Sequence, residues 1–264
     1  MARTKDDLTN LRVLVTRPSH QAEHLANLIE AQGGRAVRVP TIEILPPHDT
    51  TTLATRVSRL REFDMAIFVS ANAVQKGMEL ITARHGSFPD NVAVECVGLG
   101  SARELHQFAI PAIVPTTRFD SEGLLALTEL QQVKDKTIII FRGAGGRELL
   151  GRTLMERGAH IEYVECYRRV KPSRASTALL QSWESAKIDV VTTTSIDGLR
   201  NLFELGGESQ RKALTNTPIV VISQRIADVC HELGFETDIL LATQASDEAI
   251  VEAIKTWRRS RNPL

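Results

Sequence analysis

The second half of the chain repeats the residue pattern of the first half about 125 positions further on. A repeat of this length exceeds the units of about 20–50 residues that build solenoids. It predicts two similar domains, and a cleft between two domains is a common place for a ligand to bind. The corresponding positions are Arg17 and Arg142, Gly33 and Gly158, Ser70 and Ser195, and Ser121 and Ser246.

Composition and charge exclude several classes of partner. The chain has 264 residues, of which 42% are hydrophobic, enough for two domains that each bury a core. Because 32 basic residues balance 32 acidic ones, no overall charge favours nucleic acid or an anionic membrane. The basic stretch at 255–261 is interpreted as the last turn of a helix, whose negative end favours cations.

The sequence shows no pattern of export or membrane insertion. Residues 1–10 are polar, and no apolar run approaches the roughly 18 residues that a bilayer span requires. Cys96, Cys166 and Cys230 are widely spaced and odd in number, so neither a zinc site nor a disulfide framework is indicated. We therefore expect a soluble, cytoplasmic protein with no nucleic-acid or membrane partner.

Short β-branched runs alternate with amphipathic stretches along the whole chain, which is typical of parallel βα units. The strands read as continuous apolar runs, so helices should cover both faces of each sheet. We predict an α/β protein with two similar doubly wound parallel-sheet domains and a cleft between them. Predicted strands are 11–16, 35–39, 64–69, 92–97, 111–115, 136–141, 160–165, 188–193, 218–222 and 237–241. Predicted helices are 18–32, 50–61, 71–84, 100–108, 121–131, 146–157, 173–186, 196–206, 224–233 and 246–259.

Two stretches interrupt this alternation at equivalent places in the repeat. Residues 40–47 are extended and bracketed by prolines, and residues 165–172 are their counterpart, with a proline at the end. Both follow the second strand of their repeat. We interpret them as matched segments that cross between the domains, although a pair of ordinary edge strands would have the same pattern.

Two motif-like stretches fail as metal or nucleotide sites. The stretch from His20 to His24 matches His-x-x-Glu-His, but both histidines lie opposite the apolar stripe of the predicted helix and should face solvent. The Gly143–Gly146 stretch follows a strand and opens a helix, but the third glycine of a dinucleotide fingerprint is replaced by Glu148.

A small or polar residue recurs where a predicted strand ends and a helix begins. N-capping explains each instance by itself. The same geometry also presents unpaired N–H groups and the positive end of a helix dipole, which together bind carboxylate or phosphate. Arg17, the counterpart of Arg142 in the first copy, joins this set. The candidate substrate-binding residues are Arg17, Ser70, Ala71, Asn72, Gly100, Ser101, Arg142, Gly143, Gly145, Thr194, Ser195, Ser223 and Gln224.

Several segments, spread over nearly the whole chain in the same order, closely resemble the uroporphyrinogen-III synthase family. The most specific stretch runs from Arg142 to Tyr167, whereas Ile222–Arg225 departs from the commoner Gly-x-Thr form. The segments are Val13–Pro18, Phe68–Val74, Val97–Gly98, Arg142–Leu150, Leu154–Ala159 and Val164–Arg169.

The resemblance implies a discontinuous first domain at 1–38 and 173–264, a second domain at 44–166, and crossing segments at 39–43 and 167–172. It also implies a cyclising hydro-lyase of haem biosynthesis that converts hydroxymethylbilane into uroporphyrinogen III. Water leaves the hydroxymethyl carbon to give an azafulvene. The last pyrrole then attacks through its substituted carbon, and the spiro intermediate recloses with that ring inverted. A non-catalytic, two-lobed sensor of an anionic small molecule is the alternative, since it would share the repeat and the helix N-termini.

The resemblance implies that Tyr167 is catalytic, because its phenol could protonate the departing hydroxyl. A tyrosine that only packs beside the crossing segment is the other interpretation. We expect no cofactor and no metal, because the substrate is reactive by itself and the enzyme contributes mainly by folding it. The expected partner is the polycarboxylate tetrapyrrole substrate. We expect a monomer, with room for transient contact with the preceding pathway enzyme.

Overall fold

The computed structural model describes residues 7–172 and 187–261, which separate into two units. One unit takes the described residues up to Glu43 and from Val170 onward, and the other takes Ile44–Arg169. The strands are β1 Arg12–Val15, β2 Arg35–Arg38, β3 Glu43–Leu45, β4 Met65–Phe68, β5 Ala93–Cys96, β6 Thr137–Gly143, β7 His160–Val170, β8 Val190–Thr193, β9 Ile219–Val221 and β10 Ile239–Leu241.

Helices connect most consecutive strands, as expected for parallel βα units. They are α1 Ser19–Ala31, α2 Thr50–Ser58, α3 Ala71–His85, α4 Leu99–Gln107, α5 Ser121–Leu125, α6 Leu149–Glu156, α7 Ile196–Leu205, α8 Glu208–Thr215, α9 Gln224–Glu232 and α10 Asp247–Arg261. Short 3₁₀ turns follow α2 and α5, at Leu60–Glu62 and Thr128–Leu130.

The first unit has a five-stranded sheet in the order β10-β9-β8-β1-β2, with all neighbours parallel. Successive residues of β1 point to opposite faces, as in any strand. Leu14 packs on one side with residues of α7 and α9, whereas Val13 and Val15 pack on the other side with residues of α1 and α10. Both faces are therefore buried, which explains the continuous apolar strand sequences.

The second unit has a five-stranded sheet in the order β3-β7-β6-β4-β5. The pairs β7–β6, β6–β4 and β4–β5 are parallel. Ala66 and Phe68 pack under α2, α3 and α4, whereas Ile67 packs under α5 and α6. Phe68 and Phe141 stack with ring centroids 4.6 Å apart in this core.

The predicted α/β class with two parallel sheets is confirmed, and some element predictions are wrong. The predicted strand at 111–115 is reduced to a single bridge between Ile113 and Glu95, because Pro111 and Pro115 lack the N–H groups that a ladder needs. The predicted helix at 121–131 ends early, since Leu127 adopts an extended backbone before the 3₁₀ turn.

Other differences concern length and amphipathicity. Helix α8 was not predicted, because Leu214 is its only buried residue and it has no apolar stripe. Strand β7 continues to Val170, beyond the predicted end at residue 165. The predicted helix at 173–186 lies outside the described residues.

Candidate functional site

The candidate residues of the second unit cluster at the carboxyl ends of neighbouring strands. Strands β6, β4 and β5 lie side by side and run in parallel, so their carboxyl ends meet at one edge of the sheet. Arg142 and Gly143 end β6, Ser70 follows β4, and Gly98 follows β5. This edge is where ligands bind in open α/β sheets.

Ser70 is the N-cap of α3. Its backbone is extended, and its side-chain oxygen accepts a hydrogen bond of 3.1 Å from the N–H of Ala73. Ala71 and Asn72 form the first turn, where Asn72 is buried. The hydroxyl therefore satisfies one of the unpaired donors of this helix, which is the predicted capping role.

Helix α4 begins without a capping side chain. Its N-cap is Gly98, with Gly100 and Ser101 in the first turn. A Cβ atom added at Gly100 would meet nothing within 4 Å, so this part of the backbone is open. The unpaired N–H groups of the first turn and the positive end of the helix dipole suit an anion here.

Tyr167, on β7, has a fully buried side chain whose hydroxyl is held by two polar groups. The phenol oxygen lies 3.1 Å from the Ser70 hydroxyl oxygen and accepts a 3.2 Å hydrogen bond from Nη2 of Arg169. A Cβ atom added at Gly143 would come within 2.7 Å of the tyrosine ring. Glycine at this position therefore allows the ring to pack against the end of β6.

The loop after β6 is tied to the same tyrosine. The N–H of Ala144 donates a 2.8 Å hydrogen bond to the backbone carbonyl of Tyr167. Gly145 has a φ of 71°, a left-handed conformation that favours glycine. Gly143 and Gly145 are thus explained by a close approach and by a tight turn, respectively.

Arg142 is buried and neutralised by neighbouring carboxylates. Its Nη2 donates hydrogen bonds to Glu148 at 2.9 Å and Glu165 at 3.1 Å, while its guanidinium lies 4.2 Å from the ring centroid of Tyr163. Burial lowers the pKa of Arg142, but the hydrogen bonds to the two carboxylates outweigh this effect and raise it. The hydrogen bond from Arg142 also holds the pKa of Glu148 below its usual range. These contacts fix the start of α6, and substrate binding by Arg142 stays a prediction.

The first unit repeats this arrangement at the ends of β1, β8 and β9. Ser195 caps α7 by accepting a 3.0 Å hydrogen bond from Gly198 N–H, with Thr194 just before it. Ser223 occupies the N-cap of α9 without a side-chain cap bond, and Gln224 donates to Asp228. These strands are neighbours in the sheet, so the residues share one edge of the first unit.

Arg17 also lies at this edge and is engaged by an acidic residue. Its Nη1 donates to Asp247 at the start of α10, and His24 Nδ1 lies 2.9 Å from the second carboxylate oxygen of Asp247. The charge of Arg17 is therefore largely balanced. Its role as a binding residue stays a prediction.

A cavity of about 360 Å³ lies in the second unit between α2 and β7. Two of its cationic side chains already form hydrogen bonds with the backbone. Arg56 donates to the carbonyl of Tyr163, and Arg168 donates to the carbonyl of Pro46. Asp49 accepts from two N–H groups at the start of α2. Among the predicted site residues none lines this cavity.

The described residues contain no group of three His, Cys, Asp or Glu side chains that could hold a metal ion. All three cysteines are buried, and burial raises the pKa of Cys96 to about 11 and that of Cys166 and Cys230 to about 12. Their thiols are consequently poor nucleophiles. Within the same residues, no helix is both long and apolar enough to cross a bilayer.

The two sheets, each with polar residues at its own carboxyl edge, define a two-unit, doubly wound α/β protein. The family model described as Uroporphyrinogen-III synthase HemD matches residues 23–252. The chain belongs to the uroporphyrinogen-III synthase family.

Curated relatives agree with this assignment, and solved structures share the fold. The chain is 32% identical over 247 residues to the uroporphyrinogen-III synthases of Salmonella typhimurium and Escherichia coli, covering 93% of this chain and 100% of each relative. The fold is similar to that of a mutant Thermus thermophilus uroporphyrinogen III synthase, with a TM-score of 0.62 at 17% identity, covering 96% of this chain and 100% of the other. The Helicobacter pylori uroporphyrinogen-III synthetase gives a TM-score of 0.59 at 14% identity, covering 94% and 100%.

The sequence interpretation missed Arg169 as a site residue. It lies two positions after Tyr167 on β7, and residues two apart on a strand point to the same side. That spacing could have indicated Arg169. The preceding residue, Arg168, is also an arginine, and the sequence gave no reason to choose one over the other.

Proposed function

We propose that the chain catalyses the cyclisation of hydroxymethylbilane to uroporphyrinogen III, with loss of water and inversion of the terminal pyrrole ring. The observation that carries this proposal is the family match over residues 23–252, together with full-length coverage of the Salmonella typhimurium and Escherichia coli synthases. No observation favours the two-lobed sensor.

The helix starts at the two sheet edges supply the proposed contacts with the substrate. Unpaired backbone N–H groups near Gly100 and the capped starts at Ser70 and Ser195 suit carboxylate groups. Such donors bind several carboxylates without a cationic surface, which is consistent with the zero net charge of the chain. Their role is to hold the linear tetrapyrrole so that one carbon of the last ring attacks rather than its neighbour.

Tyr167 is the proposed source of the proton that leaves with the hydroxyl group. The contacts that support this role are the short approach of its hydroxyl to Ser70 and the hydrogen bond from Arg169. The ring packs closely against the backbone at Gly143, which gives the phenol a defined position. We also propose that the protein is monomeric and cytoplasmic and that it contacts the preceding pathway enzyme only transiently.

An isomer assay tests the function directly. Enzymatically prepared hydroxymethylbilane is supplied to the protein, the product is oxidised, and the type I and type III isomers are separated. Spontaneous closure gives type I, so heat-denatured protein is the matched control. We expect the type III isomer as the main product of the native protein. A native protein that yields only the type I isomer, as the heat-denatured control does, would contradict the function.

A further inference from the structure

The hydrogen bonds around Tyr167 have a determinable direction. Arginine carries only donors, so the 3.2 Å bond from Arg169 occupies a lone pair of the phenol oxygen. The Ala73 N–H likewise occupies a lone pair of the Ser70 oxygen. The two hydroxyl oxygens lie 3.1 Å apart, and only one of their two protons can lie between them.

Burial decides where that proton lies. If Ser70 donated to Tyr167, the phenol proton would need another acceptor, and the described part of the chain offers none to this buried group. An unsatisfied buried hydroxyl is costly, so the phenol must donate to Ser70. Ser70 then accepts twice, which leaves its own proton outside both of these hydrogen bonds, on a residue that is only half-buried.

We propose that Ser70 delivers the proton to the departing hydroxyl of the substrate, that Tyr167 replaces it, and that Arg169 is the positioning residue that fixes the direction. This proposal rests on the proposed function and deepens it. Tyr167 is fully buried, so its proton reaches the substrate through the exposed side of Ser70 rather than by direct contact.

The step balances in atoms and charge. The Ser70 proton moves to the leaving oxygen as the carbon–oxygen bond breaks, releasing water, while the Tyr167 proton moves to Ser70, so no serine alkoxide forms. The guanidinium of Arg169 then faces a phenolate, a charge-assisted contact. The phenolate recovers its proton through Ser70 in reverse after the spiro intermediate has opened and reclosed, when the previously unsubstituted ring carbon that forms the final bond loses its hydrogen as a proton.

The test for Ser70 separates its hydroxyl from its cap. Ser70→Asn keeps a good capping acceptor but loses the hydroxyl, and Ser70→Thr keeps both. We expect Ser70→Asn to lower kcat by about 10²-fold or more with little change in KM, and Ser70→Thr to recover most of it. Asp49→Ala removes the cap of α2 instead and should leave kcat unchanged. Wild-type kcat in Ser70→Asn would overturn the proposal.

A double variant tests whether the two hydroxyls form one path. If Ser70 and Tyr167 act in series, the Ser70→Asn/Tyr167→Phe protein should lose no more than the more impaired single variant. Losses that multiply would overturn the relay. A wild-type protein that makes only type I isomer would instead contradict the proposed function, so the two failures are distinguishable.

Arg169 is tested by a signal that does not depend on turnover. The chain has 2 tyrosines, so a protein with ¹³C at the phenolic carbon of tyrosine gives two signals, and Tyr163→Phe assigns them. Arg169→Met should shift the Tyr167 signal and lower kcat by about 10- to 100-fold, with partial recovery in Arg169→Lys. An unmoved Tyr167 signal and unchanged kcat in a folded Arg169→Met protein would remove the positioning role.

Discussion

The hydroxyl oxygens of Tyr167 and Ser70 lie 3.1 Å apart, although the two residues are 97 positions apart in the chain. The contact joins β7 to the start of α3 within the second unit. It connects a residue expected to be catalytic with one expected to bind substrate.

Tyr167→Phe removes the phenol proton and keeps the ring. We expect turnover to fall by about 10²-fold or more, the usual range for a positioned proton donor. The type III share should also fall, because slower catalysis lets spontaneous type I closure compete. Tyr163→Phe is the matched control, since it also removes a tyrosine hydroxyl, there bonded to Glu148. Equal turnover in the two variants, measured with the isomer assay, would leave Tyr167 only a packing role.

Gly143→Ala tests the close packing between β6 and the tyrosine. The added methyl group would lie 2.7 Å from the Tyr167 ring, so the ring must move. We expect a loss of about 1–3 kcal/mol in the free energy of unfolding, typical of overpacking, and reduced turnover. Gly146→Ala is the control, because its methyl group would meet its nearest atom at 3.4 Å. Urea unfolding measures both, and similar midpoints for the two variants would refute this account.

Arg142→Met leaves Glu148 and Glu165 without their shared cation. The arginine side chain is 9% exposed, but its partners Glu148 and Glu165 are 65% and 43% exposed, so no buried charge is left behind. We expect a loss of about 1–2 kcal/mol from the lost hydrogen bonds and packing. The comparison is Arg152→Met, because that arginine is 67% exposed and pairs with Glu156 at 3.7 Å. Its loss should stay within about 0.5 kcal/mol. Equal losses of unfolding free energy in the two variants, measured by urea unfolding, would show that the contacts of Arg142 do not add to the stability of the protein.

Glu95 should make stability depend on pH. Burial, followed by the charge of Glu129, raises the pKa of this carboxyl from 4.5 to about 7, and its Oε2 has no hydrogen-bond partner among the described residues. Below pH 4.5 the group is protonated in both the folded and unfolded states. As the pH rises towards 7 the unfolded state ionises first, so stability is lost.

Glu95→Gln removes this titration. The free energy of unfolding of the variant, relative to the wild type, should rise between pH 4.5 and about 7 and then level off, by up to about 3 kcal/mol. Urea unfolding at several pH values measures the difference. Parallel curves over this range would show that the carboxyl does not titrate as expected.

Much of the fold was predictable because it depends on local pattern. Runs such as Met65–Phe68 are apolar at every position, and that alone indicates a strand covered on both faces. The capping serines Ser70 and Ser195 were also predictable, since a cap is chosen by its immediate neighbours. The strand predicted at 111–115 is wrong because its apolar residues lie between two prolines, which cannot donate to a ladder.

The contacts of the site were not predictable in the same way. The environment of Tyr167 depends on Ser70 and Gly143, which approach it only when β4, β6 and β7 align. The burial of Glu95 depends on residues that come together only in the folded unit, and a strand of four residues is too short for alternation to reveal it. The periodicity of a sequence indicates on which face of its helix or strand a residue lies, but not which residue it contacts there.

The position of β1 between β2 and β8 imposes an order on biosynthesis. Residues 44–169 leave the ribosome together and can complete their own sheet early. Val13 and Val15 must wait for Val190–Thr193, roughly ten to thirty-five seconds of translation at about 5–20 residues per second. A nascent chain that stalls before β8 therefore presents the apolar residues of β1 on an unpaired edge, which is open to aggregation until the last third of the protein arrives.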